Sequence, residues 1–393
     1  MSDPLHYFHS ASGPVALALP FDYSQAIQDW ASLRSAMLRQ VPLEFSPDEW
    51  AYLVSFLHPD NLLQPFLSNF GTALEKAPTR ISRLYRPRGP IAIWLPNNVS
   101  LLGPLGLILL SLCGQPIRMK LGSSAQDLAS AFLSYAKAKL PSGALRDYLG
   151  SQVTTDRFSR NDPRQAELSQ QAQVRLVFGS DQAAAAIDQL PHPLESQGFA
   201  FVDRQSEAWL EPAALSEQVL DTLIKVFAIY GQAGCTSPRR VILLDATMAE
   251  ARQLRDQLLN RWPKRIQTKP AMHSASATLM ALHWARALGW DAQATQNNGA
   301  MLACGDYGLP SIQAPMALSI QPASKLQALA GLPANIQTLG HALTQPEHPD
   351  WLHLLANSQV RRFVPLAQMH HFTSFWDGEE FWRHCFTPME VRQ

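Results

Sequence analysis

One cysteine lies in a loop of small residues, where a thiol could act as a nucleophile. Cys235 sits in "YGQAGCTSPRRV", residues 230–241, behind a glycine and close to Arg239 and Arg240. Positive charge favours the reactive thiolate, and the small neighbours leave steric room around it. The arginines equally fit plain surface residues, and free cysteines are often buried and inert. Cys304, in "ACGDYG", also stands beside glycine and is the rival candidate.

A second set of polar residues follows short apolar segments. The stretches "IAIWLP", "QPIRMKLGSS" and "QVRLVFGS" each predict a buried strand, and the helical segments between them predict a parallel sheet. Ligands of open parallel sheets bind at the carboxyl ends of the strands. The polar and glycine residues at these ends are Asn97, Asn98, Lys120, Ser123, Ser124, Gly179 and Ser180. They suit a dinucleotide, with its pyrophosphate at a helix N-terminus, although the GxGxxG fingerprint is absent.

The remaining patterns predict how the chain divides. Residues 25–85 have helical spacing, and a second α/β pattern leads through a helix at 215–231 to Cys235. Residues 264–315 show weak periodicity, and the aromatic-rich end predicts a packed closing segment or subunit contact. We expect four regions. They are a helical region packed on the cofactor domain (1–84), a dinucleotide-binding domain (85–230), a catalytic cysteine domain (231–355) and a closing or oligomerisation segment (356–393).

Composition excludes several classes of protein. The 393 residues include 46% hydrophobic and 16% charged residues with zero formal net charge, so no basic excess indicates nucleic acid or a membrane surface. The four cysteines lack disulfide or CxxC spacing, and adjacent His370 and His371 would point to opposite faces of a strand, so no metal site is expected. The N-terminus lacks a signal-peptide pattern, and the apolar segment 101–114 is too short to span a bilayer. A cytoplasmic protein is expected.

In this order, the motifs resemble those of the aldehyde dehydrogenase superfamily and, within it, of LuxC-type acyl-CoA reductases. The resemblance covers about residues 85–380. It is carried by "GPIAIWLPNNVS", "IRMKLGSS", "VRLVFGSDQAAAAI", "YGQAGCTSPRRV", "NIQTLGHAL" and "VRRFVPLAQMHHFTSFWDG". It implies an α/β fold in which a Rossmann-type cofactor domain and an α/β catalytic domain are joined by a closing C-terminal segment.

The resemblance also implies a role for each matching residue. Cys235 matches the nucleophile, and the Asn98 amide matches the group that, with the Cys235 backbone N–H, faces the oxyanion. Lys120 and the nearby Ser123 and Ser124 match contacts to the adenosine ribose. Gly179 and Ser180 match the turn at the pyrophosphate.

Two departures from the superfamily pattern narrow the chemistry. Hydrolytic members carry a water-activating glutamate at a position that falls around Phe201–Asp203 here, and Glu207 is off that register. The gap favours thioester chemistry over acid formation, although Asp203 keeps the oxidative alternative open. Ser123 is neutral where NAD-preferring members often carry an acid, and Lys120 with Arg118 would suit a 2′-phosphate. NADPH is therefore expected, with NADH as the alternative.

The resemblance implies reduction of an acyl-CoA or acyl-protein thioester, fatty acyl by analogy, to the aldehyde through an acyl-cysteine. An acyl-activating synthetase partner and a homo-oligomer are expected with it. Two alternatives remain at this point. One is an aldehyde-oxidising dehydrogenase that forms acyl-CoA or acid, and the other is a non-catalytic cofactor-binding subunit.

Overall fold

The N-terminal part of the chain combines a small sheet with three helices. The computed structural model describes residues 4–123, 126–266 and 270–392. The strands are β1 (Leu5–Ser10), β2 (Gly13–Ala18), β3 (Thr72–Leu74) and β4 (Arg83–Pro87). The helices are α1 (Tyr23–Met37), α2 (Pro47–Phe56) and α3 (Pro59–Phe70). The helical prediction for residues 1–84 missed the antiparallel β1–β2 hairpin, which turns at Gly13 with φ of 103°.

A parallel sheet follows, with strands separated by helices. Its strands are β5 (Ile91–Trp94), β6 (Ile117–Lys120), β7 (Val153–Asp156), β8 (Val174–Phe178) and β9 (Gln197–Phe201). The helices are α4 (Leu102–Ser111), α5 (Leu128–Lys139), α6 (Ala144–Ser151), α7 (Arg164–Gln171) and α8 (Asp181–Asp188). The strand order is β7-β6-β5-β8-β9, with every pair parallel. The strand order reverses between β5 and β8, since β6 and β7 extend the sheet on one side of β5 and β8 and β9 extend it on the other. Ligands of such sheets bind beside this switch point.

A second sheet carries the cysteine loop. Its strands are β10 (Gln205–Leu210), β11 (Pro238–Leu244), β12 (Asp291–Ala294), β13 (Met301–Cys304), β14 (Ala317–Ala323), β15 (Ile336–Ala342) and β16 (Arg362–Pro365). The helices are α9 (Glu217–Ala228), α10 (Met248–Arg265), α11 (Met272–Ala287), α12 (Lys325–Ala330) and α13 (Pro349–Leu355). The order is β12-β13-β14-β11-β10-β15-β16, parallel except for β12. Leu223, Phe227 and Leu254 lie in the core on one side of it.

The last strand, β17 (Phe386–Glu390), pairs antiparallel with β4. It completes a sheet of order β17-β4-β2-β1-β3. Just before it, Trp382 is fully buried, and its indole N–H donates a hydrogen bond to the Leu109 carbonyl at 3.0 Å. Its ring lies 5.0 Å from that of Phe66 on α3. The aromatic tail is therefore part of a packed core.

The chain forms two compact units, Met1–Val202 with Phe372–Gln393, and Asp203–His371. The boundary falls before the expected one at 230/231, because β10 and α9 belong with the second sheet: β10 pairs with both β11 and β15. The expected segment 356–393 is also divided, since β16 pairs with β15 while β17 pairs with β4. Within the described ranges, no helix is both long and apolar enough to cross a bilayer.

Candidate functional site

In the first unit, the predicted cofactor residues lie at the carboxyl edge of the parallel sheet. Lys120 ends β6 with only 8% of its surface exposed, and its ammonium lies 6.0 Å from the centre of the Phe158 ring. Burial lowers the pKa of Lys120, and the positive charges of Arg160 and Arg157 lower it further. Three cations therefore share one corner of this edge.

Arg157 also contacts the segment after β6. Its guanidinium donates a hydrogen bond to the Ser123 carbonyl at 2.9 Å, and Ser123 itself is exposed. Ser124 lies outside the described residues. Arg118 is bonded instead to the side-chain oxygen of Gln171 on α7. Sequence reasoning missed Arg157 and Arg160, because β7 ("VTTD") lacks the apolar run that marks the other strands.

The loops that follow β5 and β6 approach each other closely. A Cβ on Gly122 would lie 2.4 Å from the Asn97 Oδ1 and 2.6 Å from the Pro96 carbonyl oxygen. Contacts under about 3 Å are prohibitive, so only glycine fits this cradle. Asn98 is exposed in the same loop after β5. The sheet thus gathers Asn98, Lys120 and Ser123 at one edge.

The turn after β8 supplies a helix N-terminus at the same edge. The Gly179 backbone N–H donates to the Phe201 carbonyl at 3.1 Å, which ties the ends of β8 and β9 together. Ser180 is the N-cap of α8, and its hydroxyl accepts a hydrogen bond from the Ala183 N–H at 3.2 Å. Other N–H groups of a first helical turn have no intrahelical acceptor, so they can bind an anion.

In the second unit, Cys235 lies in the loop between α9 and β11 and is partly exposed. Three successive residues before it, Tyr230, Gly231 and Gln232, adopt left-handed φ values of 54°, 60° and 62°. This conformation costs roughly 1–3 kcal/mol at a residue with a side chain, so the surroundings must enforce it. The buried Gln232 amide does so: it donates to the carbonyls of Pro238 (3.0 Å) and Ala317 (2.8 Å) and accepts the Ala317 N–H (3.1 Å).

Two further side chains hold the cysteine itself in place. The Ser206 hydroxyl, at the start of β10, donates to the Cys235 carbonyl at 2.7 Å. The hydroxyl of buried Thr236 lies 2.6 Å from His370 Nδ1, and His370 Nε2 lies 2.8 Å from the Val226 carbonyl. Sequence reasoning considered His370 only as a metal ligand. Its position directly before the aromatic tail gave no sign of this contact.

The arginines after Cys235 do not both face solvent. Arg240 Nε donates to Glu207 Oε1 at 2.9 Å, and the Trp209 indole N–H donates to the other carboxylate oxygen at 3.2 Å. Glu207 is 2% exposed, and burial raises its pKa although Arg240 opposes that shift. Arg240 therefore compensates a buried carboxylate. Asp203, the alternative base, is exposed.

The rival nucleophile is excluded by its surroundings. Cys304 ends β13 with no exposed surface, its thiol donates to the Ala251 carbonyl at 3.3 Å, and burial raises its pKa to about 12. A thiol with this pKa is almost entirely protonated near neutral pH. Over the described part of the chain, no group of three or more His, Cys, Asp or Glu side chains could hold a metal ion.

Solved structures show the same fold at low sequence identity, and no curated protein matches the chain. Methylmalonate-semialdehyde dehydrogenase from Oceanimonas doudoroffii has a TM-score of 0.67 at 12% identity, covering 94% of this chain and 85% of that one. NAD-dependent aldehyde dehydrogenase from Sinorhizobium meliloti has a TM-score of 0.66 at 11% identity, covering 94% of this chain and 82% of that one. Aldehyde dehydrogenase from Bartonella henselae has a TM-score of 0.63 at 12% identity, covering 94% of this chain and 86% of that one. The predicted fold class is confirmed.

The family is shown by the sequence itself. Residues 66–381 match the family described as acyl-CoA reductase (LuxC). That range begins within α3 and ends beside Trp382, so it includes the carboxyl edge of the parallel sheet in the first unit and the Cys235 loop. The chain therefore belongs to the LuxC acyl-CoA reductase family and is an aldehyde-forming oxidoreductase with the aldehyde dehydrogenase fold.

Proposed function

We propose that the protein uses NADPH to reduce a fatty acyl-CoA to its aldehyde through a thioester on Cys235. The observation that carries this proposal is the Cys235 loop. Its cysteine is partly exposed while the other three cysteines of the chain are buried. The loop is also held in a strained conformation by Gln232, Ser206 and Thr236, as expected for a preorganised nucleophile.

The carboxyl edge of the first unit fits a dinucleotide with a 2′-phosphate. Lys120, Arg157 and Arg160 supply positive charge, and Ser123 adds no repulsive carboxylate. Gly122 lets the loops that follow β5 and β6 pack closely at this edge, and the Gly179–Ser180 turn offers backbone N–H groups to the pyrophosphate. When bound, the nicotinamide supplies the hydride that converts the acyl group to the aldehyde.

Cys235 carries the covalent step. Its thiolate Sγ bonds to the acyl carbonyl carbon, the carbon–sulfur bond to CoA breaks, and CoA leaves as the thiolate. We assign the oxyanion contacts to the Asn98 amide and the Cys235 backbone N–H, following the family resemblance. Each such donor typically contributes about 10²–10³ in rate. After reduction, the bond between the acyl carbon and Sγ breaks with its electron pair going to sulfur, which frees the aldehyde and regenerates the Cys235 thiolate.

The surroundings of Glu207 and Asp203, the carboxylates at or near the expected position of a water-activating base, argue against hydrolysis of the thioester. Glu207 is occupied by Arg240 and Trp209 inside the second unit, and Asp203 is exposed. A positioned general base commonly accelerates such a step about 10²–10⁴-fold. Without that base, hydrolysis of the acyl-cysteine is slow and its reduction is the faster reaction. An acyl-activating synthetase as substrate donor and a homo-oligomeric state are proposed on the family resemblance alone.

The test measures NADPH oxidation, monitored as the decrease in NADPH absorbance, with short, long and aromatic acyl-CoAs as substrates. Cys235→Ala is compared with Cys304→Ala, a matched cysteine that has no exposed surface. We expect aldehyde as the product, turnover lost in Cys235→Ala and turnover kept in Cys304→Ala. Full turnover by Cys235→Ala would overturn the proposal. Turnover only from aldehyde with NADP⁺ would support the oxidative alternative, with Asp203 as the base to substitute next.

A further inference from the structure

We propose that His370 is a positioning residue that fastens the two ends of the Cys235 loop together and so sets the reactivity of the cysteine. This inference rests on the proposed role of Cys235 as the nucleophile. The His370 ring contacts a neighbour of the nucleophile. It acts through Thr236, the residue that follows Cys235 in the chain.

The hydrogen bonds of His370 fix which ring nitrogen carries the proton. The Val226 carbonyl can only accept, so His370 Nε2, 2.8 Å away, must donate. In the neutral ring Nδ1 is then the acceptor, and the Thr236 hydroxyl donates to it over 2.6 Å. One rigid ring thereby bridges the last turn of α9 and the residue after Cys235.

Both partners need this bridge. Val226 lies in the last turn of α9, where backbone carbonyls lack an intrahelical donor. Thr236 is 5% exposed, so its hydroxyl requires a partner within the protein. Burial lowers the pKa of His370 to about 4, and the positive charge of Arg362 lowers it too, so the ring keeps its acceptor at neutral pH. A protonated ring would present donors to both sides.

The backbone on both sides of His370 is itself anchored. Arg362 on β16 is 8% exposed, and its guanidinium donates hydrogen bonds to four oxygen atoms. The acceptors are Thr338 Oγ1 at 3.2 Å and the carbonyls of Gln368 at 3.3 Å, Met369 at 3.1 Å and His371 at 3.2 Å. His370 is therefore held on β15 and β16 rather than on the loop that it fastens.

The strain in the loop explains why this fastening affects catalysis. The left-handed run at Tyr230, Gly231 and Gln232 lies between the two points that His370 joins. Gln232 and Ser206 hold the interior of the loop, whereas His370 holds its ends. If the ends separate, the strain can relax and move Sγ. A displacement near 1 Å can cost about 10²-fold in rate.

The test compares His370→Ala and Thr236→Val with His370→Asn, whose amide oxygen can replace Nδ1 as the acceptor from Thr236. His371→Asn is the matched control, since it changes the adjacent histidine. The readouts are kcat, the KM for NADPH, and the rate at which iodoacetamide alkylates Cys235 across a pH series. We expect His370→Ala and Thr236→Val to lower kcat by about 10- to 100-fold and to slow alkylation, with the KM for NADPH unchanged.

His370→Asn should recover only part of the lost rate, because it keeps an acceptor for Thr236 but loses the Nε2 donor to the Val226 carbonyl, and His371→Asn should match the wild type. The double variant His370→Ala/Thr236→Val should be no slower than His370→Ala, because that substitution already removes the bond to Thr236. If His370→Ala does not fold, Thr236→Val carries the test alone. Unchanged kcat and alkylation in Thr236→Val would overturn this inference while leaving Cys235 as the nucleophile. Activity in Cys235→Ala would instead overturn the proposed function.

Discussion

Glu207 on β10 and Arg240 on β11 face each other across adjacent parallel strands and form an ion pair inside the second unit. Glu207 is the glutamate closest in sequence to Phe201–Asp203, where the family resemblance would place a water-activating glutamate. Its oxygens accept hydrogen bonds from the Arg240 guanidinium and the Trp209 indole. The pair thus gives Glu207 a structural role.

Glu207→Gln should therefore lower stability and leave catalysis intact. Removing one partner of a buried pair strands the other charge, and because 21% of the Arg240 side chain is exposed we expect a cost of about 2–3 kcal/mol in unfolding free energy. Urea unfolding measures this cost, and kcat per folded molecule should match the wild type. Loss of kcat at unchanged stability would show that Glu207 acts in the reaction after all.

The thiols should differ sharply in reactivity. Burial raises the pKa of Cys113, with a contribution from neighbouring Cys385, and raises that of Cys304 to about 12. Only the thiolate reacts quickly, so a chromogenic disulfide should modify Cys235 rapidly in the native protein. In denaturant all four cysteines should react. Cys235→Ala should lose the rapid phase, and a rapid phase that survives this substitution would contradict the assignment.

Ser123→Glu should shift the coenzyme preference towards NADH. The new carboxylate would lie on the segment that Arg157 contacts, beside Lys120, and would repel a 2′-phosphate. Like-charge contacts are costly enough that we expect the KM for NADPH to rise about tenfold or more, with the KM for NADH unchanged or lower. Ser151→Glu, at an exposed serine on α6, is the control. An equal effect on both coenzymes would argue against phosphate binding here.

Stability should fall as the pH falls from 6.5 towards 4. Burial lowers the pKa of both His341 and His370 from 6.5 to about 4, so in this window the unfolded chain takes up protons that the folded protein does not. Their contribution is complete above 6.5 and is lost as the pH falls through the window. Each histidine should add a slope of about 1.4 kcal/mol per pH unit to the unfolding free energy.

Urea unfolding at several pH values tests this slope in His341→Asn. The substitution should flatten the slope, since His341 is 8% exposed and stacks on Phe363 with ring centres 4.3 Å apart. His353→Asn, on the exposed side of α13, should leave the slope as in the wild type. An unchanged slope in His341→Asn would mean that this ring is protonated alike in the folded and unfolded states.

The parallel strands were predictable because burial on both faces requires continuous apolar runs. "IAIWLP" and "QVRLVFGS" gave β5 and β8, and the residues after them lie at the predicted edge. The strand β7 has no such run, so Arg157, which follows it, could not be assigned to the carboxyl edge of the sheet. The β1–β2 hairpin was missed for a different reason, since its strands precede a long helical pattern and residues 1–84 were assigned as one helical region.

The other features that the sequence did not predict depend on contacts between residues that are far apart in the chain. Thr236 and His370 are 134 residues apart, and nothing local to either residue indicates their hydrogen bond. The role of Arg240 likewise depends on the register of β10 against β11, which places it opposite Glu207. Sequence patterns gave the identity of the candidate nucleophile, whereas the side chains that hold its loop required the folded chain.

The discontinuity of the first unit determines the order in which the protein can be completed during synthesis. All residues of the second unit are synthesised before Trp382 and β17. Until residues 382–390 are made, the nascent chain has no Trp382 to pack on Phe66, and the edge of β4 that receives β17 stays open. A product truncated after residue 371 would thus expose apolar surface of the first unit, which is the kind of surface that proteases and chaperones recognise.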